Sequence, residues 1–171
     1  MDFLKLAQER YSCKKYDPEK AVPKEVLDKI LRAGQLAPTA KNSQPQHIYV
    51  LQSEEALQLV DSLTPCRYGA PIVMAVTYDS NQHFTYPGDK YTSGVEDASI
   101  VATHMMLAAK AEGVDSCWLN FFDPDKAAEA LQLPKNETVV LLMDFGYAAE
   151  GVRPTPTHEK TKPIEELVSY R

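Results

Sequence analysis

The chain has 171 residues, 44% of them apolar and 25% charged, a size and composition that fit one globular domain spanning 1–171. Its net charge of −6 excludes bulk attraction to nucleic acid or an anionic membrane, although a local basic cluster can still hold a single anion. Cys13, Cys66 and Cys117 form an odd set without paired spacing, which suits a reducing cytoplasm better than a disulfide framework. The first apolar run, Phe3-Leu4, is too short for a signal peptide, so a cytoplasmic location is expected and the Asn136-Glu137-Thr138 sequon is read as silent.

Phe3, Leu6 and Ala7 fall at helical spacing and predict a short helix over 2–9. Arg10-Tyr11-Ser12-Cys13-Lys14-Lys15-Tyr16 follows. In extended form it places Arg10, Ser12 and Lys14 on one face, two cations around a hydroxyl, the makings of an anion clamp. A solvated basic turn is the plainer alternative. Pro23 suits the first turn of a second helix, with Val26, Leu27, Ile30 and Leu31 as its buried stripe and Gly34 as its stop.

Leu36 to Gln46 is more polar than a connector needs to be. Pro38 and Pro45 stiffen its ends, and Asn42 and Gln44 can each donate and accept hydrogen bonds. Such a loop on a rigid frame is a candidate binding site, and a surface loop with helix-stopping prolines is the alternative. His47–Leu51 reads as a strand, and Ser53 caps a helix from Glu54 to about Asp61. Pro71–Tyr78 reads as a strand buried on both faces. Residues 79–92 are irregular and aromatic, with His83, Phe84, Tyr86 and Tyr91, either a lid or partner contact or a loop folded on its own domain.

Ser93 and Glu96 have capping-box spacing and open a helix that Gly113 ends, about 20 residues or roughly 30 Å long. Its sequence is apolar nearly all round, so it is expected to be the buried central helix, shared with a second subunit; Asp97, His104 and Lys110 argue against a membrane span. Cys117-Trp118-Leu119-Asn120-Phe121-Phe122 is a second candidate site segment. Asp123-Pro124 starts another helix, and Thr138–Met143 is a further strand. The tail after Arg153 is proline-rich, then basic at Lys160 and Lys162, with a short amphipathic end at Ile164 and Leu167.

The histidines lack metal-ligand spacing, and there is no Walker loop, nucleophile elbow or G-x-G-x-x-G turn. A cysteine nucleophile with a histidine stays open, since such pairs are spatial. Two basic clusters, a stiff polar loop and a Trp/Asn/Phe segment together suit a planar, phosphorylated ligand.

The order of these pieces resembles the FMN-dependent nitroreductase family over nearly the whole chain. Arg10–Tyr16 is similar to the family's opening R-x-S-x-R/K-x-F/Y element, and Pro38-Thr39-Ala40-Lys41-Asn42-Ser43-Gln44-Pro45 to its P-S-x-x-N-x-Q-P-W loop. Asp97–Gly113 with Ser116-Cys117-Trp118 is similar to its central helix and following strand. Gly146-Tyr147 and Lys162–Leu167 are similar to its closing elements.

The resemblance implies an α+β fold with a mostly antiparallel sheet flanked by helices, a long buried central helix and an intertwined homodimer. Two FMN sites would lie at the interface, and residues 152–171 would pack on the partner. It implies Arg10 and Ser12 at the phosphate or ribityl chain, Tyr11 among the cofactor-binding residues, and Lys14 near the N1/O2 edge of the ring. Pro38, Thr39, Ala40, Asn42 and Gln44 would come from the other subunit. Trp118, Leu119, Asn120 and Phe121 would border N5, and Lys160 and Lys162 would complete the phosphate clamp. Gln46 stands where the family has tryptophan, Phe121 where many members have glycine, and the two lysines where the tail usually has arginine. Arg67 is the one candidate for a further ring contact.

The implied activity is an NAD(P)H-dependent oxidoreductase. NADH or NADPH would give hydride to flavin N5, and a nitroaromatic, quinone or similar small acceptor would then take it, by a ping-pong scheme. The alternative is a protein that stores or senses FMN with little turnover.

Overall fold

A computed structural model describes residues 2–171. The helices are α1 (Phe3–Glu9), α2 (Lys24–Gln35), α3 (Glu54–Leu63), α4 (Gly94–Ala111), α5 (Pro124–Ala130) and α6 (Ile164–Leu167); the strands are β1 (Gln46–Leu51), β2 (Ile72–Asp79), β3 (Asp115–Leu119) and β4 (Glu137–Gly146). The strands form one antiparallel sheet in the order β1-β2-β4-β3. This is the expected α+β architecture. No helix among the described residues is long and apolar enough to cross a membrane.

Strand alternation sorts the core into two layers. Met74, Val76, Leu141, Met143 and Phe145 face α2 and α4 and pack with Ile30, Val101 and Met105. Val73, Ala75, Cys117, Val139 and Leu142 face the opposite way and pack with Val60 of α3 and Ala127 of α5. Helices on both sides leave β2 no solvated face, and Ile72 through Thr77 are buried as the apolar run predicts. Glu137 locks one end of the sheet. Its carboxylate accepts from Tyr49 Oη at 2.9 Å and Thr77 Oγ1 at 2.7 Å, and lies 3.0 Å from His47 Nδ1.

Local signals set most helix ends. Asp2 Oδ1 accepts the Leu4 amide, Ser53 Oγ the Ala56 amide, and Asp123 Oδ1 those of Asp125 and Lys126. Gly113, at φ 78°, ends α4 in the left-handed region while the Val114 amide reaches back to the Ala109 carbonyl at 2.8 Å.

Two expectations are corrected. Gly34 does not stop α2; it lies inside the helix, where a Cβ would sit 2.8 Å from Met105 Cγ, so it is there for the close approach of α4. Nor do Ser93 and Glu96 form a capping box. Ser93 Oγ donates to Asp97 at 2.7 Å, and Glu96 accepts from Tyr86 Oη. The 79–92 segment folds on its own domain. Thr85 bridges Thr92, and the Phe84 amide donates to Ser93 Oγ at 3.0 Å.

One buried acid stands apart. Asp144 lies in register between Val73 and Cys117, is fully buried, and neither carboxyl oxygen has a hydrogen-bond partner among the described residues. Burial pushes its pKa up to about 9; nearby Arg67 opposes this, and Cys66 and Asp61 reinforce it. Arg67 itself is committed elsewhere, to Asp61 at 2.7 and 2.5 Å and to the Ala70 carbonyl at 2.8 Å, so it is not free to meet a ring.

In Gly34→Ala the gain in helix propensity is about 1 kcal/mol, whereas overpacking against Met105 costs about 1–3 kcal/mol. The overlap wins, and urea unfolding will show a net loss; in a Met105→Ala background the sign reverses. Asp144 gives a pH signature. An unfolded aspartate ionises at about 3.9, so the folded state keeps a proton that the unfolded state releases. Stability is then full below about pH 4 and falls as pH rises toward about 9. Asp144→Asn removes that slope, and urea midpoints measured from pH 5 to 8 will show the variant gaining on wild type as pH rises.

Candidate functional site

After α1 the chain turns extended at Arg10 and runs beside β3, with Ser12 bridging Ser116 in parallel and the Cys13 amide donating to the Ser116 carbonyl at 3.0 Å. Cys13 and Tyr16 are buried while Ser12 and Lys14 are exposed and Arg10 is half-buried. The alternation read from sequence therefore presents a guanidinium, a hydroxyl and an ammonium outward. Tyr11 turns inward instead. Its ring lies under Lys110 Nζ at 5.4 Å and edge-on to His158 at 6.4 Å, and its phenol is pushed up to about 12 by burial and then by Asp115.

The C-terminal tail returns to this face. Ala7, Gln8 and Arg10 line a cavity of about 610 Å³ together with His158, Glu159 and Thr161. Lys160 and Lys162 flank it and are exposed, with Lys162 Nζ 4.0 Å from Glu166. The two ends of the chain thus meet at one concave surface carrying Arg10 on one side and the basic tail on the other.

The 38–46 loop is built under strain. Lys41, Asn42 and Gln44 all have positive φ, at 52°, 54° and 48°. Asn tolerates that region, but the other two adopt it at a cost. Hydrogen bonds hold the shape: Asn42 N–H to Thr39 O at 2.9 Å, Gln44 N–H to Thr39 Oγ1 at 3.0 Å, and Ala40 N–H to Asp97 Oδ1 at 2.8 Å. Pro38 and the side chains of Asn42 and Gln44 face solvent, and Lys41 Nζ sits 4.7 Å over the Phe84 ring.

At the end of β3, Leu119 is buried, Trp118 is half-buried with Nε1–H donating to Asn120 Oδ1 at 2.9 Å, and Phe121 is 72% exposed. Beneath, burial and then Asp144 push the Cys117 thiol up to about 11, and burial raises Cys13 as well, which opposes thiolate chemistry at either.

The structure brings Arg10, Ser12, Lys14 and the tail cations to one region with β3. It does not bring the 38–46 loop to them. Ala40 is tied to Asp97 in the first turn of α4 and Tyr11 lies against Lys110 in the last, about 20 Å apart at a rise of about 1.5 Å per residue. Two residues escaped the sequence reading. Asp97 counted only as a charge against membrane insertion, although an acid in a helix's first turn beside a polar loop signals a cap. His158 counted only as lacking metal spacing.

Comparison with known proteins places this arrangement. The nitroreductase family model matches residues 7–68 and 65–147. A relative from Methanothermobacter thermautotrophicus, provisionally named an NADH dehydrogenase/NAD(P)H nitroreductase, is 30% identical over 160 residues, covering 88% of this chain and 80% of its own. A nitroreductase family protein from Clostridium difficile 630 has a crystal structure that superposes with a TM-score of 0.92 at 37% identity, over 99% of this chain and 98% of that one. A provisionally named nitroreductase from Exiguobacterium sibiricum 255-15, solved in complex with FMN, shares the fold with a TM-score of 0.84 at 23% identity, over 100% of this chain and 98% of that one. From the Arg10–Tyr16 segment through the end of β4 the correspondence is continuous, and the chain belongs to the nitroreductase family.

Proposed function

We propose that the protein is an FMN-dependent NAD(P)H oxidoreductase that works as a homodimer and reduces small acceptors of the nitroaromatic or quinone type. One observation carries the reading: the cationic face and the amide-bearing loop lie at opposite ends of α4 in one chain. A single phosphorylated ring can be walled by both only where the loop of a second copy meets the cations of the first. The apolar surface for such pairing exists, since Val95 and Ile100 of α4 are 54% and 37% exposed.

The donor set fits the cofactor. Arg10, Lys160 and Lys162 offer charged donors to a phosphate monoester, and Ser12 adds a hydroxyl. The exposed Lys14 ammonium would offer a positive charge to the ring edge where reduction gathers negative charge. The partner's loop, stiffened by its hydrogen bonds, orients the polar ring edge through backbone and amide groups. Phe121 and Trp118 would border the ring face open to nicotinamide and acceptor. When bound, FMN supplies the hydride and electron chemistry; the protein positions and polarises it.

Purified protein is expected to be yellow, to release FMN on denaturation, and to elute at twice the chain mass. Anaerobic mixing with NADH or NADPH bleaches the flavin, and Lys14→Ala slows that bleaching by about a hundredfold in flavin-saturated protein. A colourless monomer, or a flavin that neither nucleotide bleaches, defeats the proposal. Tight FMN binding with bleaching but no turnover of any acceptor favours the storage reading.

A further inference from the structure

We propose that His158 is a positioning residue that fastens the C-terminal tail to the end of α1 and so sets Lys160 beside Arg10 at the phosphate cavity. The proposal rests on the FMN reading above and extends it to a residue outside the expected clamp.

Four observations carry it. From Arg153 to Arg171 every residue is exposed except His158. His158 Nε2 lies 2.9 Å from the carbonyl oxygen of Gln8, in the last turn of α1, where carbonyls run out of helical amides and need outside donors. Its ring meets Tyr11 edge-on, 71° from parallel, so the imidazole is held on a second side. Finally, two successive turns tie it to the lysine: His158 N–H donates to Thr155 O at 2.9 Å and Lys160 N–H to Thr157 O at 3.2 Å. Fixing His158 therefore fixes where Lys160 leaves the chain.

The consequence for binding is a matter of preorganisation. A cation on a loose tail must be ordered when the ligand arrives, whereas an anchored one is already within reach. The anchor matters more here because Glu159, one of the residues lining the cavity, carries the ligand's own sign. A phosphate is gripped only if the cations are held closer than that carboxylate. The contact needs only an Nε2–H donor, which both the neutral Nε2–H tautomer and the imidazolium provide, and a glutamine amide offers a donor of similar reach.

The experiment uses the full-length protein stripped of flavin and titrated separately with FMN and riboflavin, followed by flavin fluorescence. In His158→Ala, FMN affinity falls about tenfold while riboflavin, which lacks the phosphate, binds as in wild type. His158→Gln recovers most of the loss. Without any flavin, hydrogen exchange at amides 157–160 speeds up in His158→Ala and stays slow in His158→Gln. Equal weakening of both flavins, no weakening of FMN, or no rescue by glutamine overturns the proposal. Wild-type protein that binds no FMN overturns the parent reading instead, and unchanged exchange in His158→Ala then refutes the anchor on its own.

Discussion

The Asp97 carboxylate is the contact on which the loop side of the molecule depends. It is 2% exposed, accepts the Ala40 amide and the Ser93 hydroxyl, and sits in the first turn of α4, where the helix dipole favours negative charge. Ser93 Oγ in turn accepts the Phe84 amide. One buried acid thus joins the 38–46 loop, the 79–92 segment and the central helix. Three left-handed residues in a four-residue span are tolerable only because such bonds over-determine the turn. The same bonds make the loop rigid enough to orient a ligand.

The length of α4 then decides how a site can be assembled. The helix runs 18 residues over the sheet, and Gly34 lets α2 lie close against it. That length also holds the two halves of the candidate site apart within one chain. In the proposed homodimer, the loop of one copy would have to meet the cations of the other to bring the halves back together. Val95 and Ile100 are exposed on this helix and are the apolar surface that such a pairing would cover.

Much of this was open to a reading of the residues alone, and the pattern of what was not is physical. α4 with its stop at Gly113, the doubly buried β2, and the Asp123-Pro124 helix start each depend on near neighbours in sequence, so local rules suffice. Gly34 misled because the same residue serves as a stop or as a point of close approach, and Met105, which decides between them, is distant in sequence. The Ser93–Glu96 pair had the right spacing, but Asp97 competes for the hydroxyl and Tyr86 for the carboxylate. Asp144 falls just beyond the strand read from sequence, Thr138–Met143, and no local pattern shows that the strand continues through it or that both its oxygens end up without a partner. The outward face of Arg10, Ser12 and Lys14 and the inward side of Tyr11 both follow from strand alternation, whereas the partners Tyr11 meets there, Lys110 and His158, are distant in sequence.

Net charge and site charge pull in opposite directions in this chain. A protein of net charge −6 repels an anion at long range. At physiological ionic strength, however, screening sets in over about 8 Å, so distant acids count for little inside a cavity. What remains are the groups that line or flank it, where Arg10, Lys160 and Lys162 stand against Glu159. Among these, reach decides the balance more than number: Arg10 leaves the chain at the capped end of α1, while the lysines sit on a tail with a single inward side chain. The affinity of the proposed site for an anion is therefore governed by how well that tail is pinned.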